Sequence, residues 1–450
     1  MAKAGCSIMT QKAAYLLMSD GLLNRPYWWD DTDLPDAQIA QASATLPDAV
    51  ETLVVGAGYS GLSAALTLAR AGRDVTVVDA DAIGFGCSSR NGGQIGPSFH
   101  KLGLGGLTAS LGQAKAQAIL RESMSTLAYL KQRIIDDAID CDIQPDLGRF
   151  KGASRPADYE TITRTSEELD KAIGLRFEVI PKAEQHSQIG SDHYNGGVVY
   201  LDDGLLHPAK YVLGLAHRVH EAGAKIIAPA RVTGVMRDGD RFTVQIAGKT
   251  ITAREVLIAT NGYSGPELPF FHHRIMPIRS AIITTEPLTP DMMNSIFPAG
   301  RPVVDTSRLV PYYRPSPDGT RVVFGGRAFD LGDNPQNYVP DLKRLMTRVF
   351  PQLSDTEITH AWSGTVAYPF DHAPHLGNHD GLYYVMGYCG SGVGRASFYG
   401  HKVAQKMLGK TDGKTEIDGL NFPTRPYYRG KPWFLPAVLR WHSMMDRLGR

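Results

Sequence analysis

A strand, a glycine-rich turn and a helix in direct succession constrain this chain more than any other feature. The apolar run at residues 52–55 predicts a buried strand, and the turn after it reads Gly56-Ala57-Gly58-Tyr59-Ser60-Gly61. Apolar residues then recur at helical spacing over residues 62–69, and a second apolar strand ends in Asp79. This order is typical of a dinucleotide-binding βαβ unit, and it predicts an α/β fold.

The glycines of the turn have separate physical tasks in such a unit. Gly56 permits the tight turn, Gly58 lets the backbone approach a pyrophosphate, and Gly61 lets the helix pack closely on the strand. The helix N-terminus presents free N–H groups to the phosphates, and the acid after the second strand binds ribose hydroxyls. The residues expected to hold the nucleotide are Gly56, Gly58, Tyr59, Ser60, Gly61, Asp79 and Ala80.

The loop after Asp79 favours FAD over a nicotinamide cofactor. Residues 84–94 are mostly small or hydroxyl-bearing, so backbone can run close to a cofactor there, and Arg90 can meet a phosphate. Such a loop suits a cofactor that is longer than its nucleotide half. We find no second strand–turn–helix unit for NADPH, because residues 103–106 have the wrong glycine spacing.

These motifs together resemble the amine-oxidising flavoproteins, the family of the D-amino-acid, glycine and sarcosine oxidases. The resemblance rests on residues 56–79, 88–94 and 255–263. The sequence motif Arg-Asn-Gly-Gly-Gln at residues 90–94 is most similar to that of the gamma-glutamylputrescine oxidase branch. It implies an FAD-binding Rossmann-like domain of the glutathione-reductase type, with an α+β substrate domain that contains an antiparallel sheet. It also implies oxidation of a C–N bond by hydride transfer, which gives an imine that hydrolyses. Some members of the family attach FAD covalently through Cys or His, but no residue of this sequence indicates such a link, so we expect non-covalent FAD.

The resemblance also places further residues near the FAD. Residues 390–394 form a loop that precedes a helix, and the N-terminus of this helix would stabilise negative charge on the flavin's pyrimidine edge. Cys87 stands where the family usually has Ala, and we interpret it as a small apolar substitute without redox function. The residues are Ser88, Ser89, Arg90, Asn91, Gly92, Gly93, Gln94, Val232, Ala259, Thr260, Asn261, Gly262, Gly390, Ser391, Gly392, Val393 and Gly394.

Residues 275–330 are rich in predicted strands and lack a phosphate-binding motif, so we expect the antiparallel substrate sheet there. An arginine on such a sheet can bind a carboxylate through two hydrogen bonds. We assign no catalytic side chain, because FAD performs the redox step while the protein orients the substrate and excludes water. The candidate substrate contacts are Tyr312, Tyr313, Arg327, Trp362 and Tyr368.

The domain division follows from these assignments. It comprises an N-terminal arm (1–46), an FAD-binding domain in three pieces (47–105, 195–265 and 360–415), a substrate-binding domain in two pieces (106–194 and 266–359) and a C-terminal tail (416–450). The pair Trp28-Trp29 in the arm is predicted to dock into a surface groove. The aromatic, basic tail is predicted to cap a groove, with contact to a membrane surface as the alternative.

Composition excludes other classes of function. The formal net charge of +1 gives no reason to expect a nucleic-acid partner. The cysteines lack metal-ligand spacing, and Pro374 makes a metal site between Asp371 and His375 improbable. We see no secretory signal or membrane span, and expect a cytoplasmic protein. The expected partners are a small amine and either oxygen or an electron carrier.

Three alternatives stay open from the sequence. The chain could be an NADPH-dependent flavin monooxygenase, which would need the nicotinamide site that we do not find. It could be a D-amino-acid or opine-type dehydrogenase that passes electrons to a carrier. It could also be a non-catalytic FAD protein or an RNA-modifying factor, although the charge balance disfavours RNA.

Overall fold

Two large sheets organise the chain in the computed structural model, which describes residues 21–32, 34, 39–327 and 334–447. The strands are β1 (Ala40–Gln41), β2 (Ala49–Val55), β3 (Val75–Val78), β4 (Gln94–Ile95), β5 (Arg149–Gly152), β6 (Phe177–Ile180), β7 (Gly197–Tyr200), β8 (Gly204–Leu205), β9 (Lys225–Ile227), β10 (Val232–Asp238), β11 (Arg241–Ile246), β12 (Lys249–Ile258), β13 (Ile275–Thr285), β14 (Val303–Asp305), β15 (Tyr312–Pro315), β16 (Val322–Arg327), β17 (Ile358–Pro369), β18 (His375–His379) and β19 (Leu382–Met386). The helices are α1 (Tyr59–Arg70), α2 (Cys87–Arg90), α3 (Gly103–Leu111), α4 (Gln113–Asp136), α5 (Pro156–Ile173), α6 (Pro208–Glu221), α7 (Pro269–His272), α8 (Pro290–Ile296), α9 (Val339–Val349), α10 (Gly392–Met407) and α11 (Leu435–Arg447).

The first sheet contains the predicted βαβ unit. Its order is β1-β9-β3-β2-β12-β11-β10, and β19 pairs with the carboxyl end of β12. Strands β9, β3, β2, β12 and β19 run parallel, and β10 to β12 form an antiparallel meander. Helices α1, α4, α6 and α10 contribute to one core, because each has an apolar face of the kind predicted for residues 62–69.

The second sheet has the order β17-β13-β16-β15-β14-β5-β7-β6. All neighbours in it are antiparallel except β14 and β5. Its own core includes α8 and α9. The predicted antiparallel sheet is therefore present, with one parallel pair.

Sheet membership differs from the predicted division at two points. Strands β7 and β17 belong to the second sheet, although the predicted pieces 195–265 and 360–415 placed nearly all of both with the FAD-binding domain. Their partners, β5 and β13, are distant in sequence, so local patterns could not assign them. The domain boundaries otherwise stay predictions.

The N-terminal arm is more deeply integrated than predicted. Strand β1 pairs with β9 at the edge of the first sheet. Trp28 is fully buried and Trp29 is 9% exposed, in a cluster with Trp362 and Ala209 rather than in a surface groove. Among the described helices, none has the length and apolar composition that crossing a membrane requires.

Candidate cofactor and substrate site

A cavity of about 770 Å³ opens at the carboxyl ends of β2, β3 and β12 and extends to the second sheet. Its size is within the range of small-molecule and cofactor sites, and parallel sheets bind ligands at this edge. Most residues that the sequence assigned to FAD line this cavity. They are Gly56, Gly58, Tyr59, Ser60, Asp79, Ala80, Ser88, Arg90, Asn91, Gly92, Gln94, Val232, Ala259, Thr260, Asn261, Gly390, Ser391, Gly392, Val393 and Gly394.

The glycine turn has the close packing that its sequence predicts. Gly56 has φ +112°, a conformation that L side chains rarely adopt. A Cβ at Gly58 would lie 2.9 Å from Ser88 Oγ and would narrow the space at the N-terminus of α1. A Cβ at Gly61 would lie 3.0 Å from the carbonyl carbon of Gly56, which leaves no room for a side chain between α1 and β2.

The carboxylate of Asp79 is fixed by two backbone N–H groups. Oδ2 accepts from Ala57 N at 2.7 Å and Oδ1 accepts from Asp81 N at 3.0 Å. Burial raises the pKa of Asp79 to about 6, although both hydrogen bonds act in the opposite direction. The carboxylate is therefore held at the cavity wall; its contact with ribose hydroxyls stays a prediction.

Three indole groups hold three successive residues of the 84–94 loop. Two of these indoles come from the N-terminal arm, and the sequence analysis did not connect the arm with the cofactor site. The donors and acceptors are Trp29 Nε1 to Ser89 Oγ (3.0 Å), Trp362 Nε1 to Arg90 O (2.8 Å) and Trp28 Nε1 to Asn91 O (2.9 Å).

Arg90 supports the loop from within. Its Nε donates to Phe85 O at 2.6 Å and its Nη1 to Ser363 O at 3.3 Å. The guanidinium carbon also lies 4.9 Å from the centre of the Trp29 ring and 4.4 Å from that of Phe85. The carbonyl oxygens of Phe85 and Ser363 therefore already occupy part of the hydrogen-bond donors of Arg90. Its predicted contact with a phosphate stays a prediction.

The amide of Asn91 is also used inside the loop. Its Nδ2 donates to the carbonyl oxygens of Cys87 and Ser88, both at 3.0 Å, and its Oδ1 accepts from Gly93 N at 2.9 Å. The side chain therefore fixes the turn that the backbone of Gly92 makes along the cavity.

Four of the predicted FAD residues lie behind the cavity wall. Gly61 separates α1 from β2, and Ser89 is fully buried against Trp29. Gly93 has φ +68° and packs on Pro208, while Gly262 packs on Thr365. None of these four lines the cavity, because each is enclosed by protein atoms. The helix packing predicted for Gly61 is present, and the cofactor contacts of the other three stay predictions.

The loop before α10 also lines the cavity. Asn261 Oδ1 accepts from Gly387 N at 2.9 Å, which ties the end of β12 to this loop. The hydroxyls of Ser60 and Tyr388 lie 2.6 Å apart, so the N-terminal turn of α1 is joined to it as well. The N-termini of α1 and α10 therefore both open on one cavity, where their free N–H groups favour negative charge.

The predicted substrate residues divide into two groups. Tyr312 and Tyr368 line the cavity, and a Cβ added to Gly92 would lie 3.1 Å from the ring of Tyr312. Tyr313 and Trp362 do not line it, which corrects the prediction. Tyr313 follows Tyr312 on β15, so its side chain points to the opposite face, where it is fully buried. The side chain of Arg327 lies outside the described residues.

Several charged cavity residues were missed by the sequence analysis. Arg149 and Lys151 project from β5, and Asp203 lies in the turn before β8. Arg149 Nη2 is 2.6 Å from Asp203 Oδ2. Burial raises the pKa of Asp203 to about 6, an effect that the Arg149 charge only partly offsets. Near Tyr368, Lys101 Nζ lies 3.4 Å from the tyrosine hydroxyl.

The thiol of Cys87 lies on the cavity wall in an apolar setting. Its Sγ donates to Thr365 O at 2.9 Å, and burial raises its pKa to about 11. A thiol with a raised pKa is a poor nucleophile. This supports its interpretation as a substitute for Ala. In the part of the chain that the structure describes, no cluster of His, Cys, Asp and Glu has a metal-binding arrangement.

Comparison with known proteins assigns the family. The model described as DAO, FAD dependent oxidoreductase, matches residues 51–406. The chain belongs to this family. Its cofactor is therefore FAD, and the cavity fits it: the glycine turn provides room at a helix N-terminus, the Asp79 carboxylate lies beside that turn, and a second helix N-terminus opens on the same cavity. Non-covalent attachment stays a prediction.

Individual relatives of this FAD-dependent oxidoreductase span nearly the whole chain. A "Probable oxidoreductase OrdL" of Rhizobium meliloti (strain 1021) is 33% identical over 427 residues, 94% of this chain and 97% of the relative. A "Gamma-glutamylputrescine oxidoreductase" of Escherichia coli (strain K12) is 30% identical over 409 residues, covering 89% and 93%. The structure of glycine oxidase from Geobacillus kaustophilus aligns with TM-score 0.69 at 19% identity, covering 85% and 100%. The predicted fold class is confirmed.

Proposed function

We propose that this oxidoreductase oxidises a C–N bond of an amine or amino-acid-derived substrate, such as a gamma-glutamylated amine. The product imine takes up water and releases an aldehyde or ketone. When oxygen is the acceptor, each turnover converts one O2 to H2O2. The name of the Escherichia coli relative supports this class of substrate.

The observation that carries the proposal is one cavity shared by the FAD residues and a face of the second sheet. Gly92, in the loop predicted to run beside the isoalloxazine, lies against Tyr312 of β15. A substrate bound on this face of the sheet would therefore lie next to the redox-active end of the cofactor.

The side chains of the cavity orient the substrate, exclude water and set the local charge. FAD, when bound, supplies the acceptor for the two electrons and the hydrogen of the substrate C–H bond. Tyr312 and Tyr368 provide aromatic walls that exclude water. Lys101, next to the Tyr368 hydroxyl, disfavours a second positive charge, so the substrate nitrogen would be bound as the neutral amine.

Anaerobic reduction tests the proposal. FAD-loaded protein is mixed separately with gamma-glutamylputrescine, putrescine, glycine, sarcosine and NADPH, and the visible flavin absorbance is followed. We expect bleaching by at least one amine and none by NADPH. Bleaching by NADPH alone would overturn the proposal in favour of a monooxygenase. Peroxide on admission of air identifies an oxidase, and slow reoxidation without peroxide identifies a dehydrogenase.

A further inference from the structure

Two cations and a buried carboxylate form a second polar region of the cavity, on the second sheet. Arg149 and Lys151 are two residues apart on β5, so their side chains leave the same face, while Phe150 between them is fully buried on the other. Asp203 lies against Gly96, two residues past Gln94 of the FAD loop. All three charged residues line the cavity.

We infer that Arg149, Lys151 and Asp203 form a subsite for a carboxylate at the far end of the substrate. The inference rests on the proposed amine oxidation and makes it more specific. The substrate would carry its oxidised amine at one end and an anionic group at the other.

The ion pair in this region has unused hydrogen-bonding capacity. Arg149 Nη2 lies 2.6 Å from Asp203 Oδ2, but neither carboxylate oxygen accepts a well-oriented hydrogen bond from a described group, and Arg149 Nε has no described acceptor. The Asp203 side chain is only 1% exposed. Buried groups of this kind are usually satisfied, so the pair is arranged for a ligand that donates and accepts.

The charge balance selects the sign of that ligand. Among the described residues, Lys151 has no ion-pair partner, whereas Arg149 is paired with Asp203. Asp305, a further carboxylate of the wall, already accepts from Ser307 N at 2.9 Å and from its hydroxyl at 3.1 Å. The unpaired ammonium group of Lys151 favours an anion next to it. Because Asp203 is also present, the site can accept an ammonium group beside the carboxylate.

The sheet register gives the length of the substrate. Lys151 pairs with Val304, which pairs with Tyr312, so the three side chains form a row across neighbouring strands. Two strand spacings separate the ends of this row by about 10 Å. Tyr312 lies against Gly92 of the FAD loop. In putrescine acylated by a five-carbon dicarboxylic acid, the bonds from the oxidised carbon to the carboxylate carbon span about 11 Å when extended.

Two acylated diamines test the inference directly. Putrescine acylated on one nitrogen by glutaric acid carries the far carboxylate, whereas putrescine acylated by pentanoic acid has a methyl group there. We expect the FAD-loaded wild type to oxidise the glutaryl compound with a kcat/KM about tenfold or more above that of the pentanoyl compound. Lys151→Gln should remove most of this preference through KM, so its loss of kcat/KM should be several-fold larger for the glutaryl compound than for the pentanoyl compound.

Lys171→Gln is the matched control, because this exposed lysine near the end of α5 lies outside the cavity. Equal use of both compounds by the wild type would overturn the inference, as would an equal loss for both in Lys151→Gln. If no amine is oxidised, the proposed function fails, and glutarate titration followed by flavin absorbance decides the subsite. Weaker glutarate binding in Lys151→Gln would then support it, while absent or unchanged binding would overturn it.

Discussion

Adding one methyl group at Gly61 should weaken the binding of FAD to the glycine turn. In Gly61→Ala the new Cβ would overlap the carbonyl oxygen of Gly56 and would lie 3.0 Å from its carbon and 3.2 Å from Val54 Cγ1. Carbon atoms normally approach to about 3.5–4.0 Å. The carbonyl group of Gly56 belongs to the backbone and cannot rotate away as a side chain would, so α1 must move from the turn after β2 by about 1 Å or more.

This displacement moves the N–H groups that face the cavity at the start of α1. Each charge-assisted hydrogen bond to a phosphate contributes about 1.5–3 kcal/mol. Loss of one or two therefore weakens FAD binding by about 3 kcal/mol, or about a hundredfold in Kd. Overpacking itself costs about 1–3 kcal/mol of folding free energy. Equilibrium dialysis of the FAD-free protein against FAD measures the first effect, and urea unfolding measures the second.

Gly105→Ala provides the control for this experiment. Gly105 also lies inside a helix, and a Cβ there meets no atom within 4 Å. The same chemical change should leave FAD binding unaltered and stabilise α3 by about 0.5–1 kcal/mol. Wild-type FAD affinity in a folded Gly61→Ala protein would refute the role we assign to close packing between α1 and β2.

Three further predictions concern the cavity wall. Trp29→Phe removes the N–H group that binds Ser89 Oγ and should weaken FAD binding about five- to tenfold in fluorescence titrations, with little change in far-UV circular dichroism. In the FAD-free protein, Asp79 has a pKa of about 6 against 3.8 unfolded, so its ionisation should lower stability as pH rises from about 4 to 6, by about 3 kcal/mol in total. Asp79→Asn should abolish that part of the pH dependence in urea unfolding, and an unchanged profile would contradict the assigned burial effect. Cys87→Ala should keep kcat and FAD affinity within about twofold, whereas a large loss would indicate that the thiol has a chemical role.

The nucleotide half of the site could be predicted from sequence because its determinants are local. The strand, turn, helix and acid between Val50 and Asp79 are contiguous, and together they form the pattern of a dinucleotide-binding unit. The loop at residues 84–94 follows directly, so its position next to the turn was also predictable. The arm was not, because the hydrogen bond from Trp28 to Asn91 joins residues far apart in the chain, and no local pattern reports such a contact.

The substrate-binding face of the second sheet could not be predicted, because strand alternation does not show which of the two faces lines the cavity. Alternation shows that Tyr312 and Tyr313 face opposite sides, but which side is the cavity depends on where β14 and β16 place the sheet. For the same reason, the sequence analysis did not place β5 at the cavity. In this strand Arg149, Phe150 and Lys151 alternate polar, apolar and polar. This pattern usually indicates a strand with one face in water. Here the polar face lines the cavity, so two charges that resemble a solvated surface lie where a substrate anion can reach them.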